Sequence, residues 1–258
     1  MSPWVVSALP DLWSAEATDR PAYVAALRGS RMLGRLGGDD LSEVVGSGRV
    51  RQRERDSVLM RSGEDAVMIL LTGTAIERRL RPDGETMVLR VLGPSDTIGV
   101  TTALGHTDAS EVVTLVSTTA LVIPGPRLRG LARDRHEIAL AWLQVTAEQL
   151  EDVRSDVLDL AGLSATERVV RRLVQLVERW GEVTQDGIQV QVQLTQAQLA
   201  SWAGTSREST ARALHMLRRS GVVETSRRSV VVRDMGELRR RLGSLADGGV
   251  GGIISALE

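Results

Sequence analysis

The stretch Leu194-Thr195-Gln196-Ala197-Gln198-Leu199-Ala200-Ser201-Trp202-Ala203-Gly204-Thr205-Ser206-Arg207-Glu208-Ser209-Thr210-Ala211-Arg212-Ala213-Leu214 carries two helix starts separated by a glycine. Thr195 with Gln198 three residues on is a capping-box pattern, so a short helix begins there and ends at Trp202-Ala203. Gly204-Thr205 makes a tight turn, Ser206 caps the next helix, and Arg207 to Arg219 completes it before Gly221. Leu199, Ala200 and Ala203 fall on one face and meet Ala213, Leu214 and Leu217 of the second helix. This is a helix-turn-helix arrangement. Val222 to Thr225, the tip Ser226-Arg227-Arg228-Ser229 and Val230 to Val232 add a two-stranded wing. Asp234 to Glu237 then caps a last basic helix with Arg239, Arg240 and Arg241.

The polar face of the second helix suits base reading. Arg207, Glu208 and Arg212 lie in its N-terminal half, the part of such a helix that reaches base edges. Arginine bonds guanine O6 and N7 in bidentate fashion, and glutamate accepts from the cytosine N4 amino group. Glu208 and Arg212 are also spaced i, i+4 and so form an intrahelical ion pair on a solvated face; both readings stand together. Thr195 and Ser206 as caps, and Arg227 and Arg228 at the wing tip, complete the expected DNA-binding set. The charge distribution agrees with it. Leu194 to Gly243 holds ten arginines against four acids, within a chain of net charge −1, so the remainder carries −7. A basic module on an acidic body supplies the phosphate neutralisation from which DNA affinity comes.

Upstream, Ser164 with Glu167 is another capping box, ahead of the amphipathic run Val169 to Trp180. Before it, His136, Ala139, Leu143, Thr146, Leu150, Val153, Val157 and Leu160 recur at steps of three and four until Gly162. That period predicts a long helix with a partner helix on its seam, so Leu143, Thr146, Leu150, Val153, Val157 and Leu160 are the expected dimer interface. From Leu41 to Pro126 the pattern is of short strands. Ala66 to Leu71, Thr86 to Leu92, Val112 to Val116 and Ala120 to Ile123 are the clearest, with a hairpin turn at Arg81-Pro82-Asp83-Gly84. The organisation expected is therefore a helical lead-in over 1–40 (with Trp4, Trp13 and Tyr23), an antiparallel β-sheet domain over 41–126, a dimerisation helix over 127–162, a winged helix-turn-helix over 163–243 and a flexible tail over 244–258.

Composition narrows the function classes. The 258 residues suffice for two compact domains. Cysteine is absent, which excludes disulfides, thiolate metal clusters, iron–sulfur sensing and a cysteine nucleophile. His106, His136 and His215 are scattered without metal-ligand spacing. No uncharged apolar run reaches the length of a membrane span, and the N-terminus lacks the pattern of a secretory signal. A cytoplasmic location without membrane partners is expected. No nucleophile elbow, phosphate loop or His-Glu metal helix occurs, so the chain is read as a non-enzyme.

The helix-turn-helix stretch, preceded by a β-roll with Gly73, Pro82-Asp83-Gly84 and Ile98-Gly99 and by a long helix, resembles the cyclic-AMP receptor/fumarate-nitrate regulator family over roughly residues 32–240. The resemblance implies an α+β fold: an N-terminal antiparallel β-roll, a long dimerisation helix and a C-terminal winged helix-turn-helix. It implies a homodimer that regulates transcription from a palindromic site, with a small-molecule effector and RNA polymerase as further partners. Arg207, Glu208 and Arg212 fall on the family's three base-reading positions. The sensor half departs from the family pattern. Gly99-Val100 stands where cyclic-nucleotide binders have Gly-Glu, Thr107 to Glu111 offers acids where an arginine holds the phosphate, and Val153-Arg154 replaces the polar pair that contacts the base. A phosphate beside Asp108 meets like charge. This argues against cyclic AMP in the family manner and leaves no cofactor expected and the effector unknown. Gly99, Val100, Thr101, Arg90 and Arg154 are the candidate effector-pocket residues, although arginines such as these are more often salt-bridge formers. The alternative is a ligand-binding or protein-interaction module of the same fold with only non-specific affinity for DNA.

Overall fold

The computed structural model describes residues 20–106, 109–226 and 230–249, which fall into two compact units, the first ending at Glu151 and the second beginning at Asp152. The first opens with helix α1 (Arg20–Gly29), a 3-10 turn (Leu33–Arg35) and α2 (Gly38–Gly46). The strands expected from Leu41 onward begin only at Arg49. Leu41, Val44 and Val45 recur at the helical period and are buried, so tertiary burial makes this stretch a helix. Residues 1–19 of the expected lead-in, Trp4 and Trp13 among them, lie outside the described residues.

Two four-stranded antiparallel sheets follow. Strands β1 (Arg49–Arg53), β8 (Thr118–Pro124), β3 (Ala66–Thr72) and β6 (Thr97–Ile98) make one, in that order; β2 (Val58–Met60), β7 (Ser110–Thr114), β4 (Ala75–Leu80) and β5 (Thr86–Leu92) make the other. The expected strand at Val112 to Val116 thus sits two residues earlier. The β4–β5 hairpin turns at Arg81 to Gly84, with Gly84 at φ +82° and its N–H donating to Arg81 O at 2.9 Å.

Strand β3 shows why the roll is stable. It is buried on both faces, and its two-residue period sends alternate side chains into two cores. Val67, Ile69 and Leu71 join Leu121 and Ile123 of β8 in a cluster with the helices, which includes Tyr23, Leu27, Val44, Leu128, Ile138 and Trp142. Met68 and Leu70 join Ala120 and Val122 in the interior between the sheets, with Leu59, Leu92, Ile98 and Val112.

The single helix expected over 127–162 is two. Helix α3 (Gly125–Asp134) ends at Arg135, which adopts an extended conformation, and α4 (His136–Gly162) starts at once. The Arg135 side chain reaches Asp40 at 2.7 Å and Glu43 at 2.6 Å on α2, contacts that favour the break over continuation. The compact units divide within α4 rather than at its end.

In the second unit the Ser164 capping box starts α5 (Ala165–Trp180). Strands β9 (Gly181–Thr184) and β10 (Gly187–Val190) precede α6 (Gln196–Trp202) and α7 (Arg207–Arg219); β11 (Val223–Thr225), β12 (Val230–Val232) and α8 (Met235–Gly249) complete it. The expected two-stranded wing is present, with β11 paired antiparallel to β12. It belongs to a four-stranded sheet in the order β11-β12-β10-β9, because β10 pairs Ile188, Gln189 and Val190 with Val232, Val231 and Val230. The overlooked hairpin has a readable signal in Asp186-Gly187, with Gly187 at φ +127°. Helix α8 runs on to Gly249, into the segment expected to be tail, and residues 250–258 lie outside the description.

Candidate nucleic-acid interface

Local chemistry positions the two helices of the motif. The Thr195 hydroxyl accepts from Gln198 N–H at 3.1 Å, and the Gln198 side chain accepts from Thr195 N–H at 2.8 Å, a complete capping box on α6. The Ser206 hydroxyl accepts from Ser209 N–H at 3.0 Å and starts α7. Gly204 sits at φ +58° in the turn, where a Cβ would also lie 3.2 Å from Leu160 Cδ1. Leu199, Ala200 and Ala203 are buried, as are Ala213, Leu214 and Leu217, so α6 and α7 pack through the expected faces.

That packing turns the opposite side of α7 to solvent. Arg207, Glu208 and Arg212 are all exposed. Glu208 accepts from the Arg212 guanidinium, and Arg212 Nη2 also donates to Ser209 Oγ at 3.0 Å. With the Arg212 and Glu208 side chains 66% and 78% exposed, this pair is weak in free energy and readily exchanged for other partners. Its effect is to hold two polar side chains side by side on the first turns. Arg227 and Arg228 lie outside the described residues. The wing base beside them is held by Arg233, whose Nε donates to Glu224 Oε1 at 2.7 Å; this bond keeps the Glu224 carboxyl below its ordinary pKa.

Residues of α5 hold the motif from behind, and sequence reasoning missed them. Arg168 Nε donates to Ala203 O at 2.9 Å and its Nη2 to Gly204 O at 3.1 Å. Arg172 Nε donates to Trp202 O at 3.2 Å, with its guanidinium 4.8 Å from the centre of the Trp202 ring. Their only signal in the sequence is an i, i+4 arginine pair on a helix that carries several other arginines.

The predicted dimer seam and the core-packed residues of α4 are different sets. Ile138, Ala141, Trp142 and Val145 are buried in the first unit's core, while Leu143, Leu150, Val153, Val157 and Leu160 are exposed and Thr146 is half-buried. Leu143 and Leu150 thus present apolar side chains to solvent in the first unit, and Val153, Val157 and Leu160 do so in the second.

Each candidate effector residue has its own surroundings. Gly99 lies at φ +76°, with Ala66 O occupying the space a Cβ would need. Val100 is buried, and its carbonyl accepts from Trp142 Nε1 at 3.2 Å. Thr101 is exposed. Arg90 Nε donates to Glu77 Oε2 at 2.6 Å, Ser110 Oγ bonds the other Glu77 oxygen at 3.2 Å, and Glu111 pairs with Arg78 at 2.7 Å. Arg154 belongs to the second unit. Thr107 and Asp108 lie outside the described residues. A cleft of about 420 Å³ opens elsewhere, between Arg51, Arg53, Arg61 and Glu64. Among the described residues no helix is long and apolar enough to cross a membrane.

Comparison with known proteins agrees with this geometry. Residues 167–241 match the Crp-like helix-turn-helix domain and residues 50–135 the cyclic nucleotide-binding domain. A CRP-like cAMP-activated global transcriptional regulator of Mycobacterium tuberculosis is 30% identical over 178 residues, covering 69% of this chain and 80% of the relative. FixK2 from Bradyrhizobium japonicum superposes with a TM-score of 0.66 at 20% identity, over 77% of this chain and 96% of that one. The c-di-GMP responsive global regulator CLP of Xanthomonas campestris gives 0.66 at 20% identity, over 77% and 100%. With a helix-turn-helix whose second helix exposes its polar side, a roll of two antiparallel sheets and a relative of this identity and coverage, the chain belongs to the Crp/Fnr family of transcription regulators.

Proposed function

We propose that this DNA-binding regulator works as a homodimer on a palindromic site, reading each half-site with Arg207, Glu208 and Arg212 of α7, and that it does so without cyclic AMP. The observation that carries the reading is the disposition of α7. Its apolar face is spent on α6, and its N-terminal polar face stands open with two guanidinium groups and one carboxylate. Guanines opposite Arg207 and Arg212, and the cytosine of a G·C pair opposite Glu208, match those donors and acceptors. A TGTGA-like half-site has this pattern.

Independence from cyclic AMP is supported by the chemistry of the roll. A buried valine follows Gly99, and Arg90, Ser110 and Glu111 are engaged with Glu77 and Arg78. A cyclic phosphate entering there has to displace internal ion pairs and meets added negative charge. The effector is then another molecule or none, and RNA polymerase is the expected downstream partner.

Selection of bound duplexes from a random pool tests the central claim, followed by binding of the Arg207→Ala variant. The expected loss is about 1–3 kcal/mol per half-site on the selected sequence, with relaxed preference at one guanine. Arg227→Ala should instead weaken binding to all duplexes and flatten the salt dependence. Equal loss on selected and random duplexes for Arg207→Ala removes α7 as the reading element.

A further inference from the structure

We propose that Arg168 and Arg172 are positioning residues for DNA reading: anchored on Leu163 just after α4 and on Asp156 within it, they hold the three turn carbonyls that set where α7 begins. The proposal rests on the reading of α7 given above and adds what aims that helix.

Helix α6 is seven residues long, and its last carbonyls have no partners within the helix. The carbonyl of Trp202, the last residue of α6, and those of Ala203 and Gly204 in the turn accept from Arg172 Nε, Arg168 Nε and Arg168 Nη2, at 3.2, 2.9 and 3.1 Å. The same two guanidinium groups reach back to the preceding segment. Arg168 Nη1 donates to Leu163 O at 2.6 Å, and Arg172 Nη1 donates to Asp156 Oδ1 at 2.8 Å. Between them on α5, Arg171 Nη2 donates to Asp159 Oδ1 at 3.1 Å. Arg168 and Arg172 are one helical step apart, so they share a face of α5 and work as a pair.

Guanidinium is planar and presents its donors in a rigid fork. Each of these arginines therefore converts the position of one neighbour into the position of the other. Gly204 is two residues from the Ser206 cap, so a shift of its carbonyl carries Arg207 with it. Bidentate contact with a guanine tolerates little such error, because hydrogen bonds weaken steeply with misalignment. Screened attraction to phosphates tolerates much more. The rack should then matter for sequence preference more than for DNA affinity as such.

The full-length protein is measured as Arg172→Lys, Arg168→Lys and Asp156→Ala, on the selected duplex and on a random duplex at one salt concentration, well below each variant's melting temperature. The lysine variants keep the charge and lose the fork. Asp156→Ala touches neither the turn nor the DNA and removes a negative charge, so electrostatics alone would tighten its binding. The expected result is at least a tenfold loss on the selected duplex, with less than a twofold change on the random one, in Asp156→Ala and in whichever lysine variants fold. Variants that melt earlier but keep the native ratio of selected to random affinity overturn the proposal and leave the arginines as stabilisers of a helix end. A native protein that loses its preference in Arg207→Ala while the rack variants keep it isolates that failure from the reading of α7. A native protein with no preference sinks both.

Discussion

At the residue scale, local pairing arranges the exposed polar side chains of α7. Glu208 and Arg212 form the i, i+4 pair expected from spacing, and on an exposed face that pair is weak enough for either group to take another partner. On the buried side of the same helix, the Thr210 hydroxyl has no hydrogen-bond partner. Thr210→Val keeps the shape and removes that uncompensated group, so the melting temperature should rise, by about 1 kcal/mol in stability, with DNA preference unchanged. Glu64 illustrates a carboxylate held in its charged form. Burial raises its pKa, but Arg51 (2.7 Å), the Arg61 N–H (3.2 Å) and the nearby Arg49 charge outweigh burial, and the net direction is down. A lowered carboxylate contributes stability above its unfolded pKa and loses it as pH falls through the folded value. Glu64→Gln should therefore cost about 1 kcal/mol near neutral pH and nothing once the pH is low enough to protonate the carboxyl in the folded chain, as read by denaturant titration at both pH values.

Elements show where periodicity decides and where packing does. Helix α4 carries two sets of apolar side chains. Ile138, Trp142 and Val145 enter the first unit's core, whereas Leu143 and Leu150 of that unit and Val153, Val157 and Leu160 of the second are exposed. Exposed apolar side chains at heptad spacing on a soluble helix call for a partner helix. Leu150→Asp with Val157→Asp should give monomers by sedimentation that no longer bind the selected duplex, because each charge would be buried against apolar neighbours in the proposed dimer. An unchanged dimer takes the seam out of the interface.

For the whole molecule, the proposed two-fold axis makes a geometric demand. Two α7 helices related by it should select an inverted repeat whose half-sites are about one helical turn apart, roughly 34 Å. Inserting half a turn between them should abolish binding of the dimer while each half-site keeps its weak affinity. The cyclic nucleotide is tested on the same scale. A ligand at a hundred times its dissociation constant adds about 2.7 kcal/mol to stability, so millimolar cyclic AMP should leave both the melting curve and the DNA affinity where they were. A saturating calorimetric isotherm for cyclic AMP would show that the internal pairs around Glu77 yield.

The caps at Ser164, Thr195 and Ser206, the β4–β5 turn and the polar side of α7 were legible in the residues themselves. Each depends on groups within three or four positions in the chain, and such interactions form wherever the segment is placed. Leu41 to Gly46, the break at Arg135 and the β9–β10 pair that widens the wing into a sheet were not. They depend on partners far along the chain: the core around Val44, the acids Asp40 and Glu43, and the ladder from Ile188 to Val232. The rack of Arg168 and Arg172 belongs with these. An arginine on an amphipathic helix is commonly solvated, and only the fold brings it to the unpaired carbonyls of a helix end about thirty residues away. Local hydrogen bonds thus wrote the motif into the sequence by itself, whereas burial and long-range pairing, which exist only once the chain is folded, decided what holds it in place.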